Sequence, residues 1–592
     1  MERLPVELIE KISVDDGLSI QDAINLSLTC RRLQDAIRSN NGIWNIKFYQ
    51  LNPLLKNKLE VPQESYYDEL KHLYKVKKRI MIMLEDMSEK FYTVQELSHD
   101  DLKEWEDFVQ EYCNNYFYIV QDLLEMSDGK FNPIESAGMI PFNTPGHLTQ
   151  KYYALKVLRG IRQTYLSKMW RQYIAKPPEQ CFLEEGATIM AEWFQCKRDS
   201  DFEEISWCLD DIADMVKKQV QITYPNSPLS QVCSEQLNAW RTSKIPDNDN
   251  WNFNDLCDVL KTIGQVLFHR LNFQISDQYE DFNCGDFFLN IALQTKRATL
   301  PLLAIIYDAV ARRLGIRCEI SMCSPLCFLW FCMIDEPVVY YYIDLSAEGK
   351  ISRNAKCHIQ IHNTREANHP PTPATNIIIF LVSHFRQLVV DYVTLRSTLE
   401  FQQVIDPNDH RIRNNLAALY LRLNISAVDL QNGDSRLVVF CERPNFRTHC
   451  PTDIYHTLLE PVKRPEYVQF AVGMVMKHKK FSYRCVIFNW DKECVASPTW
   501  ISQNQIADLK YGTKQPFYNV IGEDYSHRYV AQENLMLCKD TNMPQDNGVL
   551  GRYFSHFHNT YFVPNRVTEK LFPHDGAIRR KFENELIWQS GL

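Results

Sequence analysis

The chain has no surplus of positive charge: 65 Lys and Arg stand against 74 Asp and Glu in 592 residues, a formal net charge of −9. That balance excludes a general nucleic-acid-binding surface and leaves room only for a local basic patch. Apolar runs are short. NIIIFLV, from Asn376, falls far below the roughly 18–20 residues that a bilayer span needs. No paired cysteine framework is visible either. The 18 cysteines scatter along the chain and read as free thiols and small buried hydrophobes. Cys323, Cys327 and Cys332 lack the paired spacing of a zinc ribbon, have no suitably placed His, and sit in the apolar run PLCFLWFCMI, so no metal site or other cofactor is expected. The opening residues are charged and lack a signal peptide's apolar stretch. A cytoplasmic or nuclear protein is the expectation, with no membrane contact. No strict repeat appears. What is present, 45% hydrophobic and 12% aromatic residues, suits a folded chain of about three or four domains.

The first fifty residues carry the strongest pattern. Leu4, Pro5, Leu8 and Ile12 fall at helical spacing, with Pro5 where a first-turn proline is tolerated. Asp22 then precedes a second stripe of Ala23, Leu26, Leu28 and Leu33, with Cys30 inside it and a lone Trp44 after it. About forty residues cannot cover two such stripes with their own core, so a partner is expected to bury one. The Leu-Pro-x-Glu-Leu opening, the Asp-x-x-x-Leu-Ser-Leu-x-Cys-Arg-Arg run and the closing Trp resemble the F-box. That resemblance implies docking on a Skp-type adaptor, and through it on a cullin. Leu4, Pro5, Leu8, Ile12, Leu26, Leu28, Cys30, Leu33 and Trp44 are the implied adaptor contacts, over residues 1–48.

Residues 49–178 read as amphipathic helices interrupted by the Pro-rich loop around 133–146, a helical spacer holding the first module apart. From 179 to 395 helices give way to the strands IRCEISM, CFLWFCMI and VVYYYIDL, after a polar insertion near 225–250 that reads as a surface loop. Glu184-Glu185-Gly186-Ala187, the Leu-Asp-x-x-Ala frame at 209–213, Ala311-Arg312-Arg313-Leu314-Gly315 and Tyr342-Ile343-Asp344 resemble a transglutaminase-like domain. Such enzymes need a thiolate at the start of the central helix, a His to take its proton and an Asp to orient that His. Here the helix opens Ala298-Thr299-Leu300-Pro301, the His position falls on Cys327, and only Asp344 fits. With nucleophile and base missing, no catalysis is expected. Cys284 is a displaced thiol without a named base.

The Asp406-Pro407 turn and the Leu416, Leu419 and Leu423 stripe suit a tetratricopeptide-like helical pair within 396–460. Residues 465–575 alternate apolar and polar positions. Val472-Gly473, Trp490-Asp491, Gln515-Pro516-Phe517-Tyr518 and the run Tyr529 to Leu535 resemble a hemimethylated-DNA-binding-like domain, a small all-β barrel. Its residues 461–540 hold 11 Lys and Arg against 8 Asp and Glu, a difference of +3. Lys477, His478, Lys479, Lys480, Arg484 and Tyr518 are the candidate contacts to a protein substrate or DNA. Phe481, Tyr483, Phe517 and Tyr518 either serve recognition or fill the barrel core.

The expected fold is multidomain α+β. Taken in this order, the domains resemble an F-box-only protein, which implies a substrate receptor of a ubiquitin ligase that acts by positioning rather than by bond chemistry. A DNA- or chromatin-associated protein working through the barrel is the alternative, and a cysteine hydrolase or transferase is a third.

Overall fold

The computed structural model describes residues 5–56, 58–59, 65–127, 147–198, 202–242, 251–276, 283–323, 326–333, 339–352, 372–389, 391–423, 425, 461–541, 543 and 548–590. They fall into two compact units, one made of the described residues of 5–161, 423, 425 and 461–590, the other of those of 162–422.

The first unit begins with four helices, Val6–Ser13, Ile20–Leu28, Arg31–Arg38 and Asn41–Leu51. Local chemistry sets their starts. Pro5 occupies the cap position of the first, Ser19 and Asp22 form a reciprocal capping box on the second, and the Asn40 side chain accepts from the amides of Gly42 and Ile43 on the fourth. Lys47 is buried, its ammonium donating to the carbonyls of Asp15 (2.6 Å) and Leu18 (2.7 Å) and pinning the loop between the first two helices. Ile9, Ala23, Leu33, Ile37, Trp44 and Phe48 continue without a break into Leu70, Ile80 and Leu84 of Tyr66–Phe91 and into Tyr118 and Leu123 of Asn115–Ser127. The expected spacer is therefore not separate from the N-terminal module. The next helices pack on this module through Asn41–Leu51, which lies against Tyr66–Phe91.

The C-terminal part of this unit is a five-stranded antiparallel sheet in the order His527–Ala531, Phe517–Gly522, Arg484–Asp491, Val475–His478, Leu535–Leu537. A hairpin of Phe554–His558 and Tyr561–Pro564 joins it through a bridge between Met474 and Tyr561. Helices Arg566–Leu571 and Asp575–Ser590 follow. Asp575 is buried and ties the chain's end to the sheet: its carboxylate accepts from the Val472 amide (2.7 Å), the Trp490 indole (3.1 Å) and the Arg464 guanidinium (2.5 Å). The sheet and hairpin are the expected all-β part, and the two helices after them carry part of its anchoring.

In the second unit the helix Leu300–Arg313 is buried on nearly all sides, packed by Leu183–Phe194, Phe202–Thr223 and Phe253–Gly264. Beside it the strands Glu319–Cys323, Leu326–Met333, Val339–Asp344 and Lys350–Ser352 pair antiparallel in chain order. Gly315 ends the helix at φ +78°, and a Cβ there would lie 2.6 Å from the Trp240 ring. That tryptophan belongs to Ser234–Thr242, a helix inside the region expected to be a surface loop. Burying one large ring against Gly315 gives this polar stretch a reason to fold. Helices Ala374–Leu388, Tyr392–Ile405 and His410–Arg422 complete the unit, the last two being the expected helical pair.

Candidate functional sites

Three places bear on function. The first is the N-terminal helical module, where exposure divides the nine expected adaptor contacts. Leu8 is 44% and Leu28 61% exposed, and Val6, Ile12 and Pro5 are also open to solvent. Leu26 and Cys30 are half-buried. Leu33 and Trp44, by contrast, are 3% and 1% exposed and belong to the chain's own core, with the Trp44 indole donating to the Ile37 carbonyl (2.8 Å) and its ring 4.8 Å from Tyr67. Those two side chains cannot also be contacts to another subunit. Sequence spacing marks a residue as apolar but does not say which of two faces it lies on. Leu4 lies outside the described residues. Val6, missed by the sequence reading, belongs with the exposed set because the helix starts one residue later than its proline.

The second place is where a transglutaminase-like fold keeps its catalytic residues. Leu300 opens the central helix as expected and is half-buried against the core. Cys327 pairs with Met322 in the neighbouring strand, and its side chain, like those of Cys323 and Cys332, lies outside the described residues. Asp344 ends its strand, where one carboxylate oxygen accepts from the Ser346 amide (3.0 Å), the Ser346 hydroxyl (2.5 Å) and the Ala347 amide (3.3 Å). That is an Asx-type turn, in which one carboxylate oxygen serves as a structural acceptor. Cys284 is exposed at the start of the 3-10 turn Cys284–Phe287 and makes no hydrogen bond among the described residues.

The third is the β hairpin with the expected basic contacts. His478 is buried and caps its own turn, its Nδ1 accepting from the amides of Lys480 (3.2 Å) and Phe481 (3.1 Å). Burial first, then the positive charges of Arg528 and Lys480, push its pKa below the ordinary range, so at neutral pH it adds no charge. Arg484 is held by Glu523 (2.9 Å) and Asp540 (2.6 Å). Tyr518 is fully buried, its hydroxyl donating to Gln532 Oε1 (2.7 Å) and accepting from the Phe470 amide (3.1 Å), and Phe517 is buried too. His478 and Tyr518 therefore leave the set of surface contacts, and Arg484 has its charge matched. Strand pairing was the available signal: Tyr518 is the cross-strand partner of Trp490 and shares its face, inside the sheet's core. Lys479 and Lys480 are exposed and Lys477 partly so. Near the other end of the sheet Asp491 accepts from Tyr529 (2.8 Å), and burial pushes its pKa up to about 6.

Comparison with known proteins follows this geometry. Aligned over 97% of this chain and 92% of its own length, F-box only protein 21 of Mus musculus is 26% identical. The chain resembles F-box only protein 21 along almost its whole length. The human protein of that name is 25% identical and that of Pongo abelii 26%, each over the same shares. A family described as the transglutaminase-like superfamily matches residues 204–375, and one described as hemimethylated DNA-binding protein YccV like matches residues 468–561. Those spans lie within the two domains read from sequence. No solved structure matches. Among the described residues no helix is long and apolar enough to cross a membrane.

Proposed function

We propose that this chain is the substrate-receptor subunit of a Skp–cullin–F-box ubiquitin ligase, holding target proteins near a ubiquitin-charged conjugating enzyme and doing no bond chemistry itself. One observation supports this most: in a chain similar over 97% of its length to a protein named F-box only protein 21, the N-terminal module leaves Val6, Leu8, Ile12 and Leu28 uncovered, with Ile46 and Leu51 of its fourth helix also in solvent, while Ile9, Ala23, Leu33, Ile37, Trp44 and Phe48 join an internal core. An uncovered leucine pair at the start of an otherwise well-packed unit fits a surface that a second subunit completes. Asp344 spent on a turn, with Leu300 at the helix start, supports a positional rather than a catalytic role for the middle domain. A receptor works by raising the local concentration of target lysines, which requires rigid docking and no nucleophile.

Because Leu8 and Leu28 are exposed, truncating both leaves the fold intact. The double variant Leu8→Ala, Leu28→Ala is expected to lose a purified Skp-type adaptor in pull-down, at least about tenfold in affinity, with an unchanged circular dichroism spectrum. Undiminished adaptor binding by this variant would refute the assignment.

A further inference from the structure

The turn Gln532–Asn534, between the last two strands of the five-stranded sheet, gathers three loops around itself. Gln532 accepts from the Gln469 amide (2.9 Å) and donates to the Tyr467 carbonyl (3.2 Å). The Glu533 carboxylate accepts from the amides of Lys510 (3.0 Å) and Tyr511 (3.2 Å) and from Gln515 (3.1 Å). Its backbone carbonyl takes the Lys479 ammonium (2.6 Å), and the Lys479 amide donates to the Asn534 carbonyl (2.8 Å). Three large rings on these loops are left in solvent: Tyr467 at 56%, Phe481 at 66% and Tyr511 at 55% exposure. A protein of ordinary surface does not keep three exposed rings around one turn without use for them.

The charges beside these rings differ in kind from the rest of the sheet. All three arginines of residues 461–540 are matched: Arg464 by Asp575, Arg484 by Glu523 and Asp540, and Arg528 by Asp524. Lys477, Lys480, Lys510 and Lys514 form no ion pair with a carboxylate among the described residues. Lys480 instead stands over the Phe481 ring (5.5 Å to its centre) and Lys510 over the Tyr511 ring (4.9 Å).

We propose that this face docks an acidic segment of a partner protein, its carboxylates meeting Lys480, Lys510 and Lys514 and its apolar side chains lying against Tyr467, Phe481 and Tyr511. Charge complementarity selects the partner: Lys480 and Lys514 form no ion pair among the described residues, and the one carboxylate beside Lys510, Glu533, is taken up by the amides of Lys510 and Tyr511 and by Gln515. Ring geometry favours peptide over single-stranded nucleic acid, because base stacking needs open ring faces and two of the three carry a lysine. The inference rests on the receptor reading and names the chemistry of the target it would hold.

The test uses the full chain and a fluorescein-labelled poly-glutamate peptide interrupted by leucines, followed by anisotropy at low and high salt, with a labelled single-stranded DNA as second probe. Salt-sensitive peptide binding is expected, weakened about tenfold in Lys480→Glu, Lys510→Glu and to a similar degree in Phe481→Ser, Tyr511→Ser. All four positions are exposed, so both variants should melt with the parent. No peptide binding, binding equal in parent and variants, or tighter binding of DNA than of peptide overturns the proposal. Adaptor pull-down on the same preparations separates the two readings: a chain that takes the adaptor but not the peptide overturns this inference alone, and one that takes the peptide but not the adaptor overturns the ligase reading.

Discussion

Glu184→Ala destabilises the second unit by about 3–5 kcal/mol, seen as a lower midpoint of that unit's transition in urea. Glu184 is 1% exposed and serves two buried guanidinium groups, bonding to Arg312 and to Arg313 (3.0 Å). Arg313 is also held by Asp210 (2.7 Å) and Arg312 by the carbonyls of Trp240 (3.2 Å) and Arg241. Removing the shared carboxylate leaves more positive than negative charge in a desolvated place. The same carboxylate gives a pH signature. Burial is the largest influence on it and favours the neutral acid, yet the fields of Arg312 and Arg313 together outweigh burial and hold its pKa below the ordinary 4.5. A lowered folded-state pKa means stability present above about 4.5 and lost as pH falls through the folded value. Glu184→Gln should lose part of the stability at neutral pH and lack that share of the acid-induced loss. A variant as stable as the parent would show that the triad holds nothing together.

The second large effect is Gly473→Ala, in the other unit. Gly473 has φ +92°, and an added Cβ would lie 2.1 Å from the backbone carbonyl oxygen of Phe562, which has no rotamer by which to move aside. The same residue donates to the Ile487 carbonyl (2.7 Å) and accepts from the Phe562 amide (2.8 Å), so it is the point where the hairpin Phe554–Pro564 meets the main sheet. Backbone strain and the clash add, giving a loss on the order of 3 kcal/mol or more. Thermal melting should fall and amide exchange across 554–564 should rise together. A methyl group tolerated without either change would mean that the hairpin is not seated where it is described.

Much of this was legible before any coordinates. The central helix opening at Leu300 and stopping at Gly315 and the three strands after it follow from local rules: proline near the first turn, glycine past the last, alternation within strands. What stayed hidden was which side of an element faces what. Leu28 and Leu33 are five residues apart in one apolar stripe, yet one is in solvent and the other in a core made with helices more than thirty residues away. No periodicity encodes that choice. His478 looked like a surface group because Lys477 and Lys479 flank it, and Tyr518 was open between recognition and core, whereas one caps a turn and the other fills the sheet. Asp575 and Trp240 were unreadable for a related reason: each is a single side chain whose partners, Val472 and Trp490 for one and Gly315 for the other, are distant in sequence. Long-range anchoring by one residue leaves no pattern.

The outer side of the N-terminal helices, with Val6, Leu8, Ile12 and Leu28 in solvent, is proposed to be the surface another subunit covers. Hydrogen–deuterium exchange on the full chain, with and without a purified Skp-type adaptor, tests it most directly. Slower exchange is expected across Val6–Ser13 and Ile20–Leu28 on adding the adaptor, with Asn115–Ser127 and the sheet unchanged. Identical exchange in both samples, at adaptor concentrations that saturate a known F-box protein, would contradict it.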